Sequence, residues 1–122
     1  MNRIYVAIAL GGGVGSSLRF LLSNAIPQVD GFPFGTLTAN LLGCFLLSYL
    51  SLILVKHKTI DPAFKKALTT GVIGSFTTFS AFATETFHLF SSSVGLGILY
   101  ILSTVAGGLL MTWLGVKTGG RP

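Results

Sequence analysis

The polar groups set inside apolar stretches of this chain are few and mostly uncharged. Thr36, Asn40, Cys44 and Ser48 recur at four-residue spacing and so share one helical face. An Asn in hydrocarbon must find partners, because an unsatisfied amide costs roughly 2–7 kcal/mol. Its N–H can tie two helices together or donate to a passing anion, and Thr and Ser hydroxyls can do the same. Further on, Gly71 and Gly74 precede Ser75, Thr77, Thr78 and Ser80, a run poorly suited to an unbroken helix. A break there frees carbonyls at the end of one half-helix and N–H groups at the start of the next. Carbonyls suit a hard cation, and N–H groups suit an anion. Phe79 and Phe82 follow, three residues apart and neighbours on a helical surface. Aromatic rings carry a positive edge, so this pair serves either as packing or as an uncharged wall for an anion.

Full charges are scarcer still. Arg19 and Glu85 are the two that fall within apolar spans, and His88 lies close to a helix end. Arg19 can snorkel to the interface or raise anion concentration at a vestibule; Glu85 can pair with a neighbouring helix or line the opposite mouth. Cys44 is the single cysteine and has no metal-ligand partner at a useful spacing. The spans hold no nucleophile–base pair and no metal cluster, so an enzyme is not expected.

The elements that position these residues are membrane helices. Only 9% of the 122 residues are charged, where a soluble domain has about 25%, and the mean hydropathy is +0.80. A membrane helix needs about 20 mostly apolar residues. Residues 4–22, 35–55, 67–90 and 94–116 meet this, which predicts one all-α membrane domain of four spans over residues 1–122, the third broken near Gly74–Thr78. Asp61 and Pro62 make a good start for the third span, as cap and first-turn proline. The opening Met1, Asn2 and Arg3 lack a following cleavage pattern, so the first span is expected to be retained.

Arg3, Lys56, Lys58, Lys65, Lys66, Lys117 and Arg121 all fall on one side of this layout, which places both termini in the cytoplasm. The basic residues form no stripe interleaved with aromatics, so nucleic acid is not an expected partner. Small residues at four-residue spacing (Gly11 with Gly15; Gly35, Ala39 and Gly43; Thr104, Gly108 and Thr112, beside Ser103 and Gly107) predict close helix contacts.

Three patterns in order carry a resemblance. Gly11, Gly12, Gly15, Arg19 and Phe20 form the first. Pro33, Gly35, Thr36, Leu37, Asn40 and Gly43 form the second. Gly71, Gly74, Thr77, Thr78, Phe79, Ser80, Phe82 and Glu85 form the third and most specific. Together they resemble the Fluc (CrcB) family of fluoride channels, across nearly the whole chain. The resemblance implies a passive, fluoride-selective exporter of the cell membrane, assembled as an antiparallel dimer with two pores at the subunit interface. It assigns Asn40, Phe79, Phe82 and Ser80 to the fluoride pathway and Arg19 to a vestibule. It matches the family's third-helix Glu to Glu85 without fixing its role, and a structural sodium ion to the backbone carbonyls of Gly74 and Thr77. Ser75 and Ala81 depart from the family pattern, where Gly and Thr are common. On the fourth span, Ser103 and Thr104 are the candidate polar residues.

Neutral donors and ring edges suit fluoride physically, because conduction requires sites weak enough to release the ion. Dual-topology proteins usually carry little loop bias, so the one-sided charge leaves open a homodimer or a heterodimer with an oppositely oriented paralogue. Two rivals remain at this level: a small multidrug-resistance-type, proton-coupled exporter, and a non-transporting membrane assembly subunit.

Overall fold

A computed structural model describes residues 2–121. Helix α1 (Asn2–Ala25) turns through a short loop into α2 (Phe34–Lys56). The third span starts as α3 (Pro62–Lys66), runs through a π-helical stretch (Ala67–Ile73) into α4 (Gly74–Phe76), and restarts as α5 (Ser80–Ser92). The last helix is α6 (Val94–Gly119). Three of these helices, α1, α2 and α6, are each long and apolar enough to cross a membrane unbroken. The third span crosses in two pieces, and the protein is a multi-pass, all-α membrane protein.

The interruption falls where the glycines and hydroxyls predict it. Thr77 is extended (φ −83°, ψ 158°), so the helical ladder stops at Phe76. The preceding π-helical stretch was not expected from the sequence. Thr69 and Ser75 hydroxyls bond back to the carbonyls of Lys65 and Gly71, four residues earlier, which loosens the local ladder. Tertiary packing completes the distortion. Gly71 and Gly11 lie backbone to backbone: a Cβ on Gly71 would sit 2.7 Å from the Ile8 carbonyl oxygen and 3.0 Å from Gly11 Cα. Gly15 meets the Val72 carbonyl and the Ser75 hydroxyl just as closely. The small-residue pair of the first span thus packs as expected, and its neighbour is the distorted half of the third.

Helix α6 packs chiefly on α2. Here the expected contact set needs revision. Thr112 is exposed, and a Cβ on Gly108 would meet only Cys44 Sγ, at an ordinary 3.5 Å. The close approach is made one to three turns later, by Gly115 and Gly119 against the backbone of Phe45 and Tyr49. Of the expected set, Gly107 does approach α2, with its Cβ position 2.8 Å from Leu41 Cδ2, while Gly115 and Gly119 lay outside the pattern.

The two ends differ in chemistry. At the basic end, Asp61 caps α3 by accepting the Ala63 N–H at 2.9 Å and also pairs with Arg3. The Ala63 hydrogen bond, with help from Arg3, holds the Asp61 carboxyl below the usual carboxylate range. Lys56 Nζ donates to the carbonyls of Gly119 and Arg121, which ties α2 to the end of α6. At the other end an aromatic cluster packs beneath the α1–α2 turn. There the turn at Asp30 and Gly31 takes positive φ, and Phe32 packs edge-on against Tyr100 at 5.4 Å. Tyr100 is fully buried.

Candidate ion pathway

Breaking a helix inside a membrane leaves polar backbone that must be satisfied by protein. Two side chains from neighbouring helices do this. Asn40, on α2, exchanges two hydrogen bonds with Thr78: its Nδ2 donates to the Thr78 carbonyl at 3.0 Å, and its Oδ1 accepts the Thr78 N–H at 2.8 Å. Arg19, on α1, donates from Nε to the Ser75 carbonyl at 3.1 Å. A continuous helix would have sent the Thr78 and Phe79 amides to Gly74 and Ser75. The two side chains replace that ladder from opposite sides.

The departure at Ser75 also has a structural consequence. Its hydroxyl reaches the Gly12 carbonyl at 2.8 Å and the Gly71 carbonyl at 2.7 Å. One side chain therefore stitches the third span to α1 directly below the break.

On the α2 side of the break lies an open cleft of about 580 Å³. Asn40, Gly74, Thr77, Phe79, Phe82 and Thr104 all line it. The two phenylalanine rings stand 5.7 Å apart, tilted by 53°. Phe82 also leans on Tyr100, whereas Phe79 is 78% exposed. No charged side chain lines this cleft. The Asn40 amide has two N–H donors and spends one on Thr78, so one is left for a ligand.

Of the two fourth-span candidates, Thr104 lies on the wall of this cleft. Its hydroxyl is buried and, among the described residues, has no hydrogen-bond partner. Ser103 instead lines a different groove, beside Val29 and Asp30. Buried hydroxyls are rarely left unpaired, so this orphan on the cleft wall is where a polar ligand or water would be accommodated.

Gly74 and Thr77, whose carbonyls the resemblance assigns to a cation, line the same cleft. The Thr78 amide that would normally bond Gly74 is taken by Asn40, and the Thr77 hydroxyl reaches the Gly74 carbonyl only at 3.3 Å. These oxygens have the chemistry a hard cation requires, although one chain supplies too few of them to complete a coordination shell.

The remaining sequence-selected residues lie outside the cleft. Ser80 is exposed at the start of α5, with its hydroxyl 3.3 Å from that of Thr78. Arg19 stands behind the break, on the α1 side; its bond to Ser75 uses one of the five guanidinium N–H donors. Glu85 is one helical turn past Phe82. Its Oε1 accepts the Thr36 hydroxyl at 2.7 Å and its Oε2 the Tyr100 hydroxyl at 3.3 Å. It also borders a small pocket of about 260 Å³ with His88, Gln28 and Ser92. Tyr100 was missed by the sequence reading, because a tyrosine in an apolar helix carries no signal of the acid it will meet.

The chain is 42% identical over 120 residues to a protein of Staphylococcus haemolyticus (strain JCSC1435) named fluoride-specific ion channel FluC 2, covering 97% of this chain and 98% of that one. It is 39% identical over 117 residues to fluoride-specific ion channel FluC 1 of Staphylococcus aureus (strain bovine RF122 / ET3-1), covering 95% and 96%. A FluC 2 of Staphylococcus saprophyticus is 42% identical over 118 residues, covering 96% and 97%. Residues 6–116 match the family described as CrcB-like protein, Camphor Resistance (CrcB), and the chain belongs to that family.

Proposed function

We propose that this protein is a fluoride-selective passive ion channel and not an enzyme. The observation that carries the reading is the Asn40 amide, locked by Thr78 and left with one free N–H in a cleft walled by Phe79 and Phe82. Fluoride is small and a strong hydrogen-bond acceptor, so a dry path must replace its water with donors. The amide, the Thr104 and Ser80 hydroxyls and the ring edges are all neutral, which attracts the ion without trapping it. Arg19 raises the anion concentration near the path, and Glu85, held by Thr36 and Tyr100, sets its polar boundary at the far end. A multidrug-type exporter is not favoured, since such proteins rely on a first-span acid and this first span carries Arg19.

Two parts of the reading concern assembly. The cleft is open on one flank and Phe79 is exposed there, which suits completion by a second subunit in antiparallel orientation. Gly74 and Thr77 carbonyls from two such subunits would hold a sodium ion, whose charge would offset the cost of bringing an anion to mid-membrane. The one-sided loop charge supports cytoplasmic termini. An antiparallel pair then needs a partner of opposite orientation, either a paralogue or, in spite of this bias, an inverted copy of the same chain.

The test is fluoride efflux from liposomes containing the purified protein, with potassium and valinomycin to balance charge. Rapid fluoride release with chloride retained is the expected result. Fluoride retention equal to protein-free vesicles, with the protein intact and every subunit supplied, rules the reading out. Flux from this chain alone supports a homodimer, and flux only with a co-expressed paralogue supports the heterodimer.

A further inference from the structure

Several carbonyls around the break find donors. The Ile73 carbonyl accepts the Thr77 N–H at 3.1 Å. The Ser75 carbonyl accepts Arg19 Nε at 3.1 Å, and the Thr78 carbonyl accepts Asn40 Nδ2 at 3.0 Å. The carbonyls of Gly74 and Thr77 are different: among the described residues, no backbone N–H bonds either of them. Gly74 has only the Thr77 hydroxyl at 3.3 Å, and that hydroxyl is shared with the Ile73 carbonyl at 3.2 Å. Backbone acceptors withdrawn from water are nearly always paired, so two orphans within four residues need a cause.

Each orphan has one. In an unbroken helix the Thr78 N–H would bond Gly74, and the Ala81 N–H would bond Thr77. The first amide goes instead to Asn40 Oδ1 at 2.8 Å. The second goes to the Thr78 hydroxyl at 3.2 Å, which thereby caps α5. Two side chains thus take the two amides that would otherwise occupy these carbonyls. All four residues, Asn40, Gly74, Thr77 and Thr78, line the same cleft.

We propose that Asn40 and Thr78 are positioning residues for a small hard cation at Gly74 and Thr77, each keeping one backbone oxygen free of its competing amide. This role rests on the reading, given above, of a cation at those two residues. Asn40 then serves both ions with one carboxamide. Its Oδ1 holds the Thr78 amide away from Gly74, and its Nδ2 keeps one N–H for the anion. Free carbonyl oxygen is the donor a hard cation prefers, and a carbonyl already bonded to an amide is a poorer one.

The test is thermal melting of the purified protein in neutral detergent across a sodium chloride titration. N-methylglucamine replaces sodium so that ionic strength stays constant. The wild-type protein should melt higher as sodium rises, and the sodium concentration at half effect is the readout. Thr78→Val should raise that concentration about fivefold, the effect of restoring one competing hydrogen bond. Thr78→Ser, which keeps the hydroxyl, should not. Asn40→Leu, which lacks the acceptor, should raise it to a similar degree. Asn40→Asp, which keeps an acceptor for the Thr78 N–H, should leave sodium binding at least as tight, although both Asn40 variants lose fluoride efflux. A lower melting temperature with an unmoved sodium midpoint in Thr78→Val and Asn40→Leu would show a packing role only and overturns the proposal. A weaker sodium midpoint in Asn40→Asp overturns it as well. Absence of any sodium effect on the wild-type protein, alongside intact fluoride efflux, removes the cation and its positioning residues together and leaves the channel reading standing.

Discussion

Asn40 and Thr78 exchange both of their amide functions across the α2–third span contact, at 3.0 Å and 2.8 Å. The pairing mimics a step of sheet hydrogen bonding, made by a side chain in the middle of a helical protein. It fixes the carboxamide's orientation as firmly as the backbone it serves.

Asn40→Asp should nearly abolish fluoride flux. The substitution removes the free donor and faces the Thr78 carbonyl with an acceptor. Two like charges at about 4 Å repel by about 4 kcal/mol at an effective dielectric constant of 20, or roughly a thousandfold in rate. Liposome efflux measures it; wild-type flux would remove Asn40 from the pathway.

Phe79→Ile and Phe82→Ile should each lower flux, but only one should cost stability. Phe79 is 78% exposed, so its replacement should leave the melting temperature nearly unchanged. Phe82 packs on Tyr100 at 5.3 Å, and losing that aromatic contact should destabilise by about 1 kcal/mol. Efflux and thermal melts on the same preparations separate the two effects. Unchanged conduction in both variants would leave the ring-edge argument without support.

Thr36→Val and Tyr100→Phe each remove one donor from Glu85 while keeping the side-chain shape. Each should destabilise by about 1–3 kcal/mol, because the carboxylate is left short of a partner. If Glu85 forms the boundary of the path, both should alter flux in the same direction as Glu85→Gln. Opposite responses would show that the acid and its two donors do not act together.

Arg19→Lys keeps the charge but not the Nε–H that caps Ser75. A hydrogen bond to a charged group contributes about 1.5–3 kcal/mol, so the melting temperature should fall even though any long-range attraction of anions persists. An unaltered melt combined with lower flux would mean that the cap is unimportant to the break.

Asp61 gives a pH signature. Its folded-state carboxyl is held low, so its contribution is present above the ordinary carboxylate range and is lost as pH falls through the lowered value. Asn is an equally good helix cap, so Asp61→Asn isolates the charge. The stability gap between the two proteins should be open at neutral pH and close in strong acid. A gap that widened on acidification would reverse the sign of the argument.

Much of this was legible in the chain. Gly71, Gly74 and the hydroxyls after them announced the break, and an Asn at membrane depth announced that it needed a partner. The partner's identity was not legible, because Asn40 and Thr78 are 38 residues apart in sequence. The π-helical stretch escaped notice for a related reason: it depends on Gly11 and Gly71 meeting, and neither residue alone encodes it. Thr36, Glu85 and Tyr100 come from three helices, and only folding brings them together. Gly115 and Gly119 were outside the early pattern, since spacing shows which residues are small and not which of them touch.

The break is held from one flank by Asn40 and from the other by Arg19, with Ser75 fastening it below. Fastened at three points to two neighbouring helices, the interrupted segment is a joint of the bundle and not a loose loop.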